Sequence, residues 1–187
     1  MKTDFPLTIR PAVEADIPGV AAIYEKIHSE EEVGRTTIGW QRGVYPTRAT
    51  AETALSLGDL FVGESGDRIA AAMRLNQEQV DVYVSAAWEH PAPPEQVMVM
   101  HTLVVDPELG RRGIAARMIA FYERYALEAG CPFLRIDTNE RNLRARGMYR
   151  KLGYKEVSIL PCNFNGIPGV GLVCIEKYLG ENKKDSI

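Results

Sequence analysis

The chain has 187 residues, of which 45% are apolar and three are cysteine, and a formal net charge of −3. That length and apolar content bury one full core without disulfide or metal staples, and the acidic balance argues against nucleic acid as a general partner. Cys131, Cys162 and Cys174 are odd in number and lack metal-type spacing, and His28, His90 and His101 do not cluster with them. Reduced thiols in a cytoplasmic protein without a metal site are therefore expected. No apolar run reaches membrane length, and Met1 opens no signal-type segment.

In chain order, residues 7–10 predict a short strand. Asp16 stands where it can cap a helix whose apolar face is Ile17, Val20, Ala21, Tyr24 and Ile27, with Pro18 in the first turn. Glu30, Glu31 and Glu32 at its end read as a solvated surface, with capture of an ammonium as the alternative. Residues 36–46, with Trp40 and Tyr45, read as a loop, and residues 49–57 as a short helix stopped at Gly58. Strands at 60–64 and 68–75 form a hairpin across Ser65-Gly66-Asp67. The polar, proline-rich segment 76–95 holds Tyr83 and Trp88 and is long for a connection, as functional loops often are.

A central strand at 97–105 stops at Asp106-Pro107, which favours a turn. A helix follows from Ile114, its apolar face repeating at Met118, Phe121, Tyr122, Tyr125 and Ala126, with Gly130 at the left-handed cap. Between strand and helix lies Gly110-Arg111-Arg112-Gly113. The first N–H groups of a helix have no internal partner and the macrodipole is positive there. Gly113 lets the backbone approach a ligand, Ala115 keeps the next turn clear, and Arg111, Arg112 and Arg117 add charge. A phosphate or pyrophosphate suits this loop; an ordinary turn with solvated arginines is the alternative. Neither the nucleoside-triphosphate P-loop pattern nor Gly-x-Gly-x-x-Gly is present. Residues 133–138 then predict a strand, 142–152 a helix capped by Gly153, and 154–160 and 170–178 two closing strands joined by a Pro/Gly/Asn-rich loop. One domain over 1–180 and a flexible charged tail at 181–187 complete the expected organisation.

The downstream run Asn142-x-x-Ala145-x-x-x-Tyr149-x-x-x-Gly153-Tyr154, together with Gly113 and Ala115 in the upstream loop, resembles the two signatures of the GNAT superfamily of acetyl-CoA-dependent N-acetyltransferases. One departure is that Gly110 stands where the family usually carries Arg or Gln. The resemblance spans residues 7 to about 178. It implies an α/β (α+β) fold with a mixed, strongly twisted sheet, helices on both faces, and two central strands (97–105 and 133–138) that splay apart, often beside a β-bulge. The pantetheine arm of acetyl-CoA would enter that gap and pair with Leu103, Val104 and Val105. Gly110, Arg111, Arg112, Gly113, Ile114, Ala115, Ala116, Asn142, Ala145 and Tyr149 are the remaining cofactor-binding residues it implies. A homodimer through the closing strands is a further implication.

The expected chemistry is direct attack of an amine on the thioester. The Leu103 N–H would polarise the carbonyl, a donor worth roughly 3 kcal/mol elsewhere. Tyr149 would face the leaving sulfur. Full proton transfer from a tyrosine to a thiolate is uphill by about 2 kcal/mol in water, so a hydrogen bond to the developing thiolate is favoured. The alternative is a core tyrosine. His101, two residues before Leu103, is expected on the same face as the candidate base. It lies about 5 kcal/mol short of an ordinary ammonium, so a water relay or late deprotonation suits it better; a histidine satisfied in the sheet core is the alternative. Asn142 is expected to cap its helix and contact the cofactor. Trp40, Tyr45, Tyr83 and Trp88 are the candidate substrate residues, able to hold a cation or an apolar group. Three functions follow: acetylation of a small amine, acetylation of a protein terminus or lysine, or a non-catalytic acyl-CoA-binding module. Neither membrane nor nucleic acid is an expected partner.

Overall fold

The structure is a computed structural model that describes residues 5–180; residues 1–4 and the expected tail at 181–187 lie outside it. The described elements run β1 (Thr8–Pro11), α1 (Ile17–Glu32), α2 (Arg48–Ser56), β2 (Leu60–Ser65), β3 (Arg68–Asn76), β4 (Val97–Val105), α3 (Ile114–Glu128), β5 (Phe133–Asn139), α4 (Leu143–Lys151), β6 (Lys155–Phe164) and β7 (Ile167–Tyr178). The strands form one mixed sheet in the order β1-β2-β3-β4-β5-β7-β6. β4 and β5 run parallel because α3 crosses over between them, and the other neighbours are antiparallel.

Helices cover both faces. Met118, Ile119 and Tyr122 of α3 and Tyr149 of α4 pack with Met98, Met100, Leu134 and Ile136 on one side. On the other, Ile17, Val20 and Ile23 of α1 and Ala51 of α2 pack with Val62, Ala72 and Val104. The predicted end of α3 holds: Gly130 has φ 74° and its N–H donates to Leu127 O.

Three local expectations change. Asp16 does not cap α1 through its side chain; it accepts from the Val13 N–H and pairs with Arg10, as the chain enters α1 through a 3-10 turn. The acids ending α1 clamp the next loop: Glu30 pairs with Arg35, Glu32 with Arg42, and Glu31 accepts from the N–H groups of Ile38 and Gly39. The closing strands are longer than expected and meet at a two-residue turn, Asn165-Gly166, in which both φ values are positive. Pro161 and Pro168 are tolerated there. β6 is an edge strand, and β7 pairs with β5 only from Leu172 onward.

The feature that makes the site is the parting of β4 from β5. Their ladder covers Val97–Met100 against Phe133–Ile136 and then ends. At the same point β4 carries a bulge. Ala72 pairs with Val104 and Arg74 with His101, so three steps on β4 oppose two on β3. Thr102 sits in the extra position with φ 51°, a conformation costly for a β-branched residue.

Candidate functional site

A cleft of about 470 Å³ passes through the gap between β4 and β5, a size suited to small-molecule binding. The Asp106 N–H donates to Ala70 O on β3. Backbone alternation therefore turns the polar groups of Val104 toward β3 as well, and those of Leu103 and Val105 toward the gap. Two of the three residues predicted to present their backbone to the gap do so; Val104 is committed to the sheet.

At one end of the cleft lies the loop before α3. Arg111 and Gly113 have φ 65° and 74°, which folds the chain into a tight turn, and Gly113 brings no side chain to cap the helix. The first intrahelical bond runs from the Arg117 N–H to Gly113 O, leaving the N–H groups of Ile114, Ala115 and Ala116 ahead of it. Gly110 and Ala115 line the cleft. Arg112, Ile114 and Arg117 do not present their side chains there. Arg112 stacks over Phe5, Ile114 is buried in the core, and Arg117 donates to the carbonyls of Phe5 and Leu7. The charge that sequence reasoning missed is Arg144, which lines the cleft, with its guanidinium 4.0 Å from where a Cβ on Gly110 would lie. Replacing Arg144 by alanine is expected to weaken acetyl-CoA binding about tenfold, roughly 1.4 kcal/mol, with a smaller loss at high salt; calorimetry at two ionic strengths checks it.

α4 brings two predicted residues to the cleft. Asn142 caps the helix by accepting from the Ala145 N–H at 3.2 Å and donates to Thr138 Oγ1 at 3.2 Å. Tyr149 is buried against Tyr154, with ring centroids 5.9 Å apart. Tyr149 lines the cleft, its hydroxyl has no hydrogen-bond partner among the described residues, and burial raises its proton affinity well above the ordinary tyrosine range. Gly147 meets nothing where a Cβ would project, so its cost within the helix has no steric reason here.

His101 is on the other face from Leu103, contrary to expectation, because the extra residue at Thr102 reverses the alternation. Leu103 packs with the Met98 and Met100 cluster, whereas His101 follows Val97 and Val99 on the opposite side. Asp59 accepts from the Asn76 side-chain N–H, which leaves Asn76 Oδ1 to accept from His101 Nε2 at 3.0 Å. Burial, with Arg74 nearby, pulls the imidazole down to about 4. It lines the cleft as a neutral group.

Of the four aromatic substrate candidates, Trp40 and Tyr45 line the cleft, edge to face at 5.9 Å, and the Tyr45 hydroxyl shares a hydrogen bond with Thr102. Tyr83 and Trp88 do not line it. The long segment before β4 folds through two 3-10 turns and buries Tyr83 in the core, and Trp88 meets it edge to face while Arg135 lies 4.1 Å over the Trp88 ring. Tyr83 instead donates to Asp137, which lines the cleft and was not singled out from the sequence.

The family model described as "Acetyltransferase (GNAT) family" matches residues 22–154. Among solved structures, a GNAT-family acetyltransferase from Streptococcus agalactiae superposes with a TM-score of 0.72 at 20% identity, covering 94% of this chain and 96% of that one. The yncA protein of Salmonella typhimurium, solved with its cofactor acetyl-CoA, gives 0.63 at 18% identity, covering 96% and 98%. Ard1 from Thermoplasma volcanium gives 0.69 at 14% identity, covering 94% and 99%.

Proposed function

The chain belongs to the GNAT family of acetyltransferases, and from that footing we propose that it transfers the acetyl group of acetyl-CoA to the primary amine of a small molecule within a ternary complex. The observation that carries this is the continuity of one cleft, from the Gly110 loop, along the free edge of β4, to Trp40 and Tyr45. Its residues fit the donor. The N–H groups at the start of α3 and Arg144 suit phosphates, and the outward backbone of Leu103 and Val105 suits an amide-bearing arm that pairs as a strand would.

Bound acetyl-CoA supplies an acetyl group activated as a thioester. Around it the Leu103 N–H donates to the carbonyl oxygen as negative charge grows there, worth about 3 kcal/mol. The Tyr149 hydroxyl, fully protonated at working pH, donates to the leaving sulfur. His101 is a weak proton acceptor at about 4 and is better suited to shaping the cleft than to serving as the base.

The small-molecule reading is supported by contacts around the acceptor end. Phe164 and Asn165 at the β6–β7 turn line it, a Cβ on Gly166 would lie 3.2 Å from Val44, and Thr37 Oγ1 donates to Arg141 O at 2.9 Å. A peptide backbone needs an open groove there. The three cysteines are free thiols, which supports a reducing, cytoplasmic setting.

Free-thiol release from acetyl-CoA across small amines, lysine peptides and free N-terminal peptides tests the proposal. Release with small amines alone supports it, and release with peptides alone replaces the acceptor class. Tight acetyl-CoA binding without release from any acceptor would leave an acyl-CoA-binding module.

A further inference from the structure

Asp137 follows Ile136, the last β5 residue laddered to β4, so it stands where the two strands part. It is half-buried and lines the cleft. Its one hydrogen bond among the described residues comes from the Tyr83 hydroxyl, at 2.8 Å to Oδ2. The other carboxylates lining the cleft have basic partners: Glu30 has Arg35, Glu78 has Arg74, and Asp106 has Lys26 and Arg68. Asp137 has no such partner among the described residues. Arg135, two residues earlier, spends its guanidinium on Gln79 and the Trp88 ring. A carboxylate taken from water without a cation is costly, and in a ligand cleft it marks where a cation is received.

We propose that Asp137 receives the ammonium of the acceptor and takes its proton, so that the substrates are cationic primary amines that enter past Trp40 and Tyr45. The inference rests on the acetyl transfer proposed above. An ammonium N–H bond breaks and its proton goes to an Asp137 oxygen. The freed nitrogen pair forms the C–N bond to the acetyl carbon, and the C–S bond breaks with its pair going to sulfur. Sulfur takes a proton from Tyr149, Tyr149 regains one from the acylated nitrogen, and Asp137 releases its proton through the cleft to solvent. Both protons lost by the ammonium are thereby accounted for, one on the thiol and one in solvent.

The surroundings suit this transfer. The titratable groups packed about Asp137 are Tyr83 before β4, Tyr45, Tyr149 on α4, Cys162 on β6 and Cys174 on β7, all held in their neutral forms by burial. Burial lifts the carboxyl to about 6, against the opposing hydrogen bond from Tyr83. Proton transfer from ammonium to carboxylate removes two charges at once, so a poorly solvated cleft favours it; transfer to a neutral histidine only moves the charge.

The test is the pH profile of kcat/KM for thiol release with the best small amine, for wild type, Asp137→Asn and Tyr83→Phe, with acetyl-CoA affinity measured on each. Wild type is expected to give a bell, rising near 6 as Asp137 ionises and falling near the amine's own value, about 10, because the ammonium is the form bound. Asp137→Asn is isosteric and keeps the Tyr83 hydrogen bond. It is expected to lose at least about 100-fold in kcat/KM, to lose the acid limb, and to bind acetyl-CoA as wild type does. Tyr83→Phe is expected to shift the acid limb upward, which a purely structural role would not do. Asp137→Asn within about threefold of wild type, or a wild-type rate that climbs steadily through pH 10, overturns the proposal and leaves acetyl transfer standing. A wild type that binds acetyl-CoA but releases thiol with no amine overturns the transferase reading itself.

Discussion

Tyr149→Phe is expected to lower kcat for thiol release about 100- to 1,000-fold while acetyl-CoA affinity stays within about twofold of wild type. The ring is what packs: it is buried and meets Tyr154 edge to face, and phenylalanine keeps that contact. Only the hydroxyl is lost, and it has no hydrogen-bond partner among the described residues to strand. Because burial holds the phenol protonated across the working range, the loss is one of donation to sulfur. The variant's profile below pH 10 is therefore expected to keep the wild-type shape at a lower height. Stopped assays of free thiol across pH, with calorimetry for the donor, check this. An unchanged kcat would remove Tyr149 from the chemistry.

Asp106→Ala is expected to destabilise the protein by about 2–3 kcal/mol, lowering Tm by roughly 5–10 °C. Its side chain is 3% exposed and accepts from Lys26, from Arg68 and from the Glu108 N–H at 3.0 Å. It therefore ties α1 and β3 to the end of β4, just before the Gly110 loop. Lys26 and Arg68 are 36% and 44% exposed, so water recovers part of what they lose, which keeps the estimate at the lower end. Acetyl-CoA affinity is expected to fall with stability because the loop loses its anchor. A thermal melt within about 1 °C of wild type would show that the network carries little.

These two aspartates give stability opposite dependences on pH. Arg68 and Lys26 outweigh burial and hold Asp106 below the usual carboxylate range, so its contribution is present above the unfolded value of 3.8 and is lost as pH falls through the folded value. Asp137 titrates near 6 when folded, against 3.8 unfolded. The folded state binds that proton more tightly, so stability falls as pH rises from about 4 to about 6. At pH 7 the Asp137→Asn variant is thus expected to be the more stable protein, by up to about 3 kcal/mol, although the less active. Melts at pH 4 and pH 7 check it; a gain of equal size at both would refute the titration argument.

What could be read from the sequence followed local rules. β4 runs as predicted, and the starts and stops of α3 and α4 are marked by Gly113, Gly130, Asn142 and Gly153, whose backbone or side chain leaves few other roles. The β6–β7 turn was legible in Asn165-Gly166 but was obscured by two prolines whose tolerance depends on which strand edges are free, a tertiary fact. The bulge left no mark. Thr102 is a good strand residue, and nothing in its neighbours announces a positive φ, so His101 was assigned to the face opposite the one it occupies. Tyr83 and Trp88 misled because a long polar segment with aromatics suits a binding loop and a folded-in plug equally well. Asp137 was hidden by ordinary alternation. A polar residue in a strand signals solvent unless both faces of the sheet are known to be covered.

The extra residue at Thr102 also turns β4 into a strand that must be counted. Its first half is indexed to β5 through Val97–Met100, and its last two residues to β3 through Val104 opposite Ala72 and Val105 opposite Ala71. With both ends fixed, the one spare residue between them sets where Leu103 turns its N–H toward the gap and on which side its side chain falls. Deleting Thr102 would give the His101 and Val104 pairs the same two-step spacing as their partners Arg74 and Ala72, which removes the bulge and straightens β4 where it parts from β5, while changing the residue type at 102 would keep the count. The chain can vary what stands at that position far more freely than how many residues span it, so the reacting centre is located by arithmetic along the backbone.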